Sequence, residues 1–223
     1  LLKKATFNNL KTMGEPYSEY TWSSSSYIYR GTFENSGIEE FNAPELTNIA
    51  NYCFLNTAKL KQINAPKIST VGLCAFSNSS INEFNFSNIS KIGDYAFSDT
   101  KINGKIAANL VTSLGNNAFK GTKITEVEMN SLESLNYAAF QEIITLKKAT
   151  LSKLVNIVGS DGDYGTFRGT GIEEFIAPVI EEIGSNAFAK LSKVTKVTLK
   201  VPSTVQIAQN AFDSQDKYQI VQP

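Results

Sequence analysis

Two adjacent carboxylate pairs, Glu39-Glu40 and Glu173-Glu174, are the first residues in this chain whose types could do chemistry. Paired carboxylates can divide general acid and general base work between them. Neighbours on an extended strand point to opposite faces, however, so neither pair makes a shared site. Asp161 and Asp163 flank Gly162 in the run SDGDYG, a spacing that also opens calcium loops. Two acidic ligands with no glutamate downstream in register fall short of such a loop, and an Asp/Gly turn accounts for the run. Histidine is absent from all 223 residues. That removes the commonest general base, the usual base of a nucleophilic triad and the commonest metal ligand. Cys53 and Cys74 form no CxxC pair and have no histidine to complete a zinc site. The residues predict no enzyme, no metal and no cofactor.

Residues suited to contact rather than catalysis are more concentrated. The segment 11–30 contains Tyr17, Tyr20, Trp22, Tyr27 and Tyr29 interleaved with the run Ser23 to Ser26. Tyrosine and tryptophan offer large contact area at low entropic cost, and serine offers adaptable hydrogen bonds. Three uses are open: a protein contact, stacking on the rings of a glycan, or folding of the aromatics onto the body of the protein as a partial cap. Twenty-one basic residues balance twenty-one acidic ones, so there is no electrostatic footprint for nucleic acid. No run of 18 apolar residues exists to span a membrane as a helix.

What positions these residues is a repeat. A phenylalanine falls at 33, 54, 76, 97, 119, 140, 167, 188 and 212, mostly 21 or 22 residues apart. The preceding residue is small each time, from Thr32 and Cys53 to Ala211. Aliphatic residues stand five and eight positions before the phenylalanine, and Gly72, Gly93, Gly115 and Gly184 stand four before it. After it comes a second apolar block, such as Ile38-Phe41-Ala43 or Ile124-Val127-Met129, whose last two slots alternate as a strand does. In one unit the second slot shifts to Ile106, which implies an inserted residue. A fixed period in the twenties over this many units predicts a solenoid of about nine rungs, with a parallel β-sheet on one face. Short turns and single helical turns are expected on the other, capped by Asp94, Asn116 and Ser185, with glycine supplying a positive φ at the corner.

The strand positions facing outward then follow. The first outward column reads Lys4, Glu40, Gln62, Glu83, Lys105, Glu126, Lys148, Glu174 and Lys196. Its sign alternates from Glu83 onward, so adjacent rungs can pair with each other; a self-satisfied ladder and a polar protein partner are both open. No aromatic anchor lies in this column.

The runs Ile92-Gly93-Asp94-Tyr95-Ala96-Phe97 and Ile183-Gly184-Ser185-Asn186-Ala187-Phe188 make the chain resemble the BspA-like (Treponema-type) leucine-rich repeat, from Leu2 to about Phe212. That family often carries cysteine three residues after the phenylalanine; here Thr57, Thr100, Thr122 and Thr170 stand there. The resemblance implies a leucine-rich-repeat solenoid in an exported or surface-attached bacterial protein, acting in adhesion to host surfaces or matrix proteins. A glycan-binding surface protein and a structural spacer or assembly element are the alternatives.

A longer echo overlies the repeat. Leu2-Lys3-Lys4-Ala5-Thr6 recurs as Leu146-Lys147-Lys148-Ala149-Thr150, and Gly37-Ile38-Glu39-Glu40-Phe41 recurs as Gly171-Ile172-Glu173-Glu174-Phe175. This predicts a duplicated six-rung block whose insertions, 11–30 and 158–164, leave from the same edge. Residues 1–223 read as a single domain, which the resemblance implies is part of a longer exported chain; the strand at Leu2 has no cap of its own, so a further N-terminal segment or a partner is expected to cover that end. Lys217 to Val221 read as a closing strand, and the two cysteines, in different slots, as free thiols.

Overall fold

The computed structural model describes residues 2–14, 17–21, 26–136, 138–192, 196–214 and 217–223, with the backbone alone described for 17–21 and 26–30. One face carries the longer strands, all parallel. They are β1 (Lys4–Thr6), β4 (Glu40–Asn42), β6 (Gln62–Asn64), β9 (Asn103–Ala107), β11 (Lys123–Glu128), β13 (Lys148–Thr150), β15 (Glu174–Ile176), β17 (Val197–Lys200) and β19 (Tyr218–Val221). They form a three-stranded sheet, β1-β4-β6, and a six-stranded sheet running from β9 to β19. The second face carries two-residue strands: β5 (Asn48–Ile49), β7 (Thr70–Val71), β8 (Lys91–Ile92), β10 (Ser113–Leu114), β12 (Ser134–Leu135), β14 (Asn156–Ile157), β16 (Glu182–Ile183) and β18 (Gln206–Ile207). These make two four-stranded parallel sheets that divide between β10 and β12. Among the described residues one antiparallel hairpin, β2 (Tyr17–Thr21) with β3 (Ser26–Arg30), forms a separate two-stranded sheet.

The repeated phenylalanines form one continuous stack from Phe33 to Phe212. Successive rings lie within 11° of parallel, with centroids 4.8–5.5 Å apart except at the Phe119–Phe140 step, which is 6.2 Å. Tyr218, on the strand expected to close the rod, ends the stack at 4.6 Å from Phe212. Phe41, Phe84 and Phe175, from the long-strand face, meet the stack edge-on. The backbone follows the same period: the N–H of Phe54 donates to Ala75 (2.7 Å), that of Phe76 to Ala96 and that of Phe97 to Ala118 (both 2.8 Å). Side-chain stacking and backbone pairing thus share one translation, which is why the rungs are nearly identical.

The corner at each phenylalanine is not a helical turn. The residue two before the phenylalanine has a positive φ of 50–65° at Tyr52, Cys74, Tyr95, Asn117, Ala138 and Asn186, and the residue two after it does so again at Asn35, Asn56, Asn78, Asp99, Glu142 and Lys190. A left-handed residue on both sides breaks any helix after a few residues. The capping role expected of Asp94, Asn116 and Ser185 is therefore corrected: Asp94 Oδ1 accepts from the N–H of Asn116, its counterpart on the next rung, at 2.8 Å. Asn51 does the same for Leu73.

The reason for the corner glycines also differs from expectation. Gly72, Gly93, Gly115 and Gly184 have no positive φ; a Cβ on Gly93 would lie 2.7 Å from the carbonyl carbon of Gly72. Glycine is required there because two rungs approach closely, not because the chain turns left-handed. In the slot where cysteine is common, Thr57, Thr100, Thr122 and Thr170 are buried, and each hydroxyl donates to its own phenylalanine carbonyl at 2.7–2.8 Å. The threonine satisfies a buried acceptor within the rung.

The long-strand ladder is interrupted at residues 83–85. Asn85 Oδ1 accepts from the N–H of Ser87, a local turn that competes with strand pairing, and Phe86 fills a slot held by alanine in neighbouring rungs. Pairing of β9 with β11 is irregular between Ile124 and Glu126, opposite the rung whose spacing has an extra residue. Phe97 contacts four rings, Phe76, Phe84, Phe86 and Phe119. Phe97→Ala is expected to cost about 3–5 kcal/mol by chemical denaturation; a loss under about 1 kcal/mol would show that the stack does not carry the fold.

Candidate functional site

The outward positions of the long-strand face form a ladder whose register the strand pairing fixes: Lys4 with Glu40 with Gln62, and Lys105 with Glu126 with Lys148 with Glu174. Ion pairs along it are Lys4–Glu40 at 2.7 Å, Lys148–Glu174 at 2.5 Å and Lys200–Glu174 at 2.6 Å. Lys105 does not pair with Glu126 beside it. It reaches diagonally to Glu128 at 2.9 Å, over the small Ala107. Glu128 also accepts from Asn109 and Asn130, so it is held ready as the better acceptor. With Lys105 and Lys148 both engaged elsewhere, Glu126 has no ion pair among the described residues, and neither has the exposed Glu83 in the interrupted rung.

Electrostatics follow the pairing. Hydrogen bonds from Lys148 and Lys200 hold the Glu174 carboxyl below its ordinary range. Those from Lys105 and Asn109 do the same for Glu128. The partners shift the other way: the hydrogen bond and charge of Glu40 raise Lys4, and those of Glu128 raise Lys105.

Lys196 does not occupy the column position assigned to it from spacing. Glu174 pairs with Thr198, Phe175 with Leu199 and Ile176 with Lys200, so Lys196 is an exposed residue just before β17. The 24-residue interval from Phe188 to Phe212 has its three extra residues ahead of the strand. Val197, Leu199 and Val201 are all buried and alternate, so hydrophobic period alone permits either register. Glu128, the second outward position of its rung, and Lys200, which the spacing did not place in the ladder, make ion pairs with Lys105 and Glu174. For Lys200 a signal existed: Val201-Pro202 matches Ala177-Pro178, which anchors the end of the strand.

The adjacent glutamates resolve into matched clamps. Glu39 and Glu40 pair with Lys3 and Lys4; Glu173 and Glu174 pair with Lys147 and Lys148. The repetition of all four contacts across the two blocks agrees with an internal duplication. The second insertion leaves after the short strand β14; the first leaves after Met13, where no strand forms but the N–H of Thr47 donates to the Lys11 carbonyl of that rung at 3.0 Å. Tyr17, Tyr20, Tyr27 and Tyr29 lie on the β2–β3 hairpin, with Tyr20 opposite Tyr27 and Tyr29 opposite Ser18. Trp22 lies outside the described residues.

In the second insertion Asp163 binds Arg168 at 2.6 Å and Lys190 at 3.3 Å, so its charge is met by protein cations. Among the described residues no group of three or more His, Cys, Asp or Glu could hold a metal ion. No described helix is long and apolar enough to cross a membrane. Both cysteines are free thiols. Burial pushes the Cys53 thiol up to about 12, with its Sγ 3.4 Å from Met13 Sδ. Burial, then the charge of Asp94, raises the half-buried Cys74.

Parallel rungs of this period, with strands on one face, a phenylalanine stack within and an outward polar ladder, define a leucine-rich-repeat solenoid. The chain belongs to the BspA type leucine rich repeat region family, whose repeat matches residues 26–147 and 163–222 in six copies. A solved leucine-rich repeat protein from Bacteroides ovatus ATCC 8483 is similar to it at 16% identity with a TM-score of 0.49, over 89% of this chain and 59% of that one. The chain thus spans 59% of the length of that relative. No curated protein matches the chain.

Two measurements check this chemistry. Because the folded carboxyl of Glu174 is depressed, its ion pairs stabilise the protein above an ordinary value of 4.5 and are lost as pH falls through the depressed value. Glu174→Gln is expected to remove that acid dependence and to cost less than about 1 kcal/mol at neutral pH, by melting from pH 3 to 7. Ellman titration of native protein is expected to label Cys74 slowly and Cys53 only after denaturation; rapid labelling of Cys53 would contradict its burial.

Proposed function

We propose that this chain is a non-catalytic, protein-binding module of an exported or surface-attached bacterial protein, and that its role is adhesion to a matrix or cell-surface protein. Membership of the BspA type family supports a repeat-based binding module, and leucine-rich repeats are generally protein-interaction modules. The observation that carries the reading is the pair Glu83 and Glu126. Both lie in the middle of the long-strand face, while the charges around Glu126 are engaged within the ladder. Glu126 on its strand and Glu83 in the interrupted rung, without ion pairs among the described residues, offer anchors for a cationic patch. The hairpin aromatics Tyr17, Tyr20, Tyr27 and Tyr29, with Trp22 in the same insertion, are proposed as a second contact for the same partner. The outward clamping of both glutamate pairs by lysine supports the non-catalytic reading.

Biolayer interferometry against immobilised extracellular-matrix extract tests this. Wild-type protein is expected to bind in a salt-sensitive manner. The double variant Glu83→Lys with Glu126→Lys is expected to weaken binding about tenfold or more, a loss of about 1.4 kcal/mol, at an unchanged melting temperature. Absence of wild-type binding, or equal binding by the double variant, would overturn the reading.

A further inference from the structure

Between β6 and β9 the long-strand face carries residues 83–87 outside any strand. The run Glu83-Phe84-Asn85-Phe86-Ser87 alternates in and out. Phe84 packs on Phe76 and Phe97, and Phe86 on Phe97 and Phe119, with centroids 4.9–5.9 Å apart. Glu83, Asn85 and Ser87 are exposed, and every second residue of extended chain shares one face. An asparagine with a hydroxyl residue two positions after it, and no proline between, is the acceptor pattern for an N-linked glycan. Bacterial transferases of this class also read a carboxylate two positions before the asparagine. We propose that Asn85 is a site of N-glycosylation, recognised by a transferase through Glu83 and Ser87.

Three asparagines of this chain meet the shorter pattern, Asn78, Asn85 and Asn88. Two before Asn78 and Asn88 stand Phe76 and Phe86, so Asn85 alone has the acidic residue. The structure separates the three again. Asn78 is held at a positive φ of 55° in a corner, and its neighbour Ser79 is buried. Asn88 Nδ2 already donates to the Pro66 carbonyl at 2.9 Å. Asn85 uses only its oxygen: Oδ1 accepts from the N–H of Ser87 at 3.0 Å, and Nδ2 has no partner among the described residues. That turn ties down the amide oxygen and leaves to solvent the nitrogen that must form the new bond. The backbone N–H and carbonyl groups of Phe84 and Asn85 make no hydrogen bond among the described residues. A transferase can therefore draw the segment up without breaking a ladder.

The co-reactant is a lipid-pyrophosphate-linked oligosaccharide. Asn85 Nδ2 attacks C1 of its first sugar. The N–C1 bond forms, the C1–O bond breaks, and the lipid pyrophosphate leaves with the electron pair while one amide proton passes to a base. Glu83, exposed and without an ion pair among the described residues, offers a counter-charge to a cationic group of the transferase. The modification does not rest on the partner-binding reading. A glycan beside Glu83 would, however, limit how much of the long-strand face a partner can reach.

Transfer to the folded chain in vitro tests the proposal, with a bacterial oligosaccharyltransferase, a lipid-pyrophosphate-linked oligosaccharide of known mass, and intact-mass and peptide-map readouts. One added glycan is expected, on Asn85, and Asn85→Gln is expected to abolish it. Ser87→Ala keeps the backbone N–H that closes the turn, so the fold is retained; it is expected to lower the rate of transfer about tenfold or more, as is Glu83→Gln. Asn78→Gln with Asn88→Gln is expected to leave transfer unaltered. No transfer to the wild-type chain would overturn the proposal. So would transfer to Asn78 or Asn88 in place of Asn85, or equal rates for wild type and the Ser87→Ala variant.

Discussion

The structure depends on one translation. Rings from Phe33 to Phe212 repeat about 5 Å apart, and the backbone N–H of one rung finds the carbonyl of the next at a matching interval. A rung in isolation would leave its phenylalanine half-exposed and its corner amides unpaired; each neighbour supplies both. This explains how non-glycine residues such as Tyr95 and Ala138 hold a positive φ in rung after rung. Left-handed conformations cost roughly 1–2 kcal/mol per residue, and only a structure that determines the corner from above and below can sustain so many.

The same translation governs which residues each position tolerates. Whatever stands at one slot lies beside its own equivalent on the next rung. Threonine suits the buried slot after the phenylalanine because its hydroxyl donates within its own rung and asks nothing of its neighbour. Asparagine suits outward slots because its amide both donates and accepts, as Asn64 does to Asn42 at 2.5 Å. Charge fits only where the sign changes between rungs, and the Lys4–Glu40 and Lys148–Glu174 pairs meet that condition. A glycine is needed wherever two corners nearly touch, as at Gly93 over Gly72.

Departures from the translation are where binding chemistry becomes possible. Glu83 stands where the long-strand ladder lapses, and Glu126 stands at the irregular step between β9 and β11. Both insertions leave from one corner, the point at which a rung can lengthen without disturbing either sheet.

The sequence by itself determined the solenoid, its period, the phenylalanine stack and the duplicated runs on which the lysine–glutamate clamps are built. Stacking forces like to lie over like, so recurrence in one dimension reads directly as contact in three. It also placed most of the outward column, because slots flanking a buried strand residue must face outward. Only the tertiary structure decided the rest. Lys196 left the column and Thr198 took its place beside Glu174, because three apolar residues in alternation allow two registers and pairing with β15 selects one. Lys105 chose Glu128 over Glu126, because side-chain reach across a small alanine is a property of the assembled face. Asp94 capped the next rung instead of its own turn, because the left-handed residue at Tyr95 denies it a helix to cap.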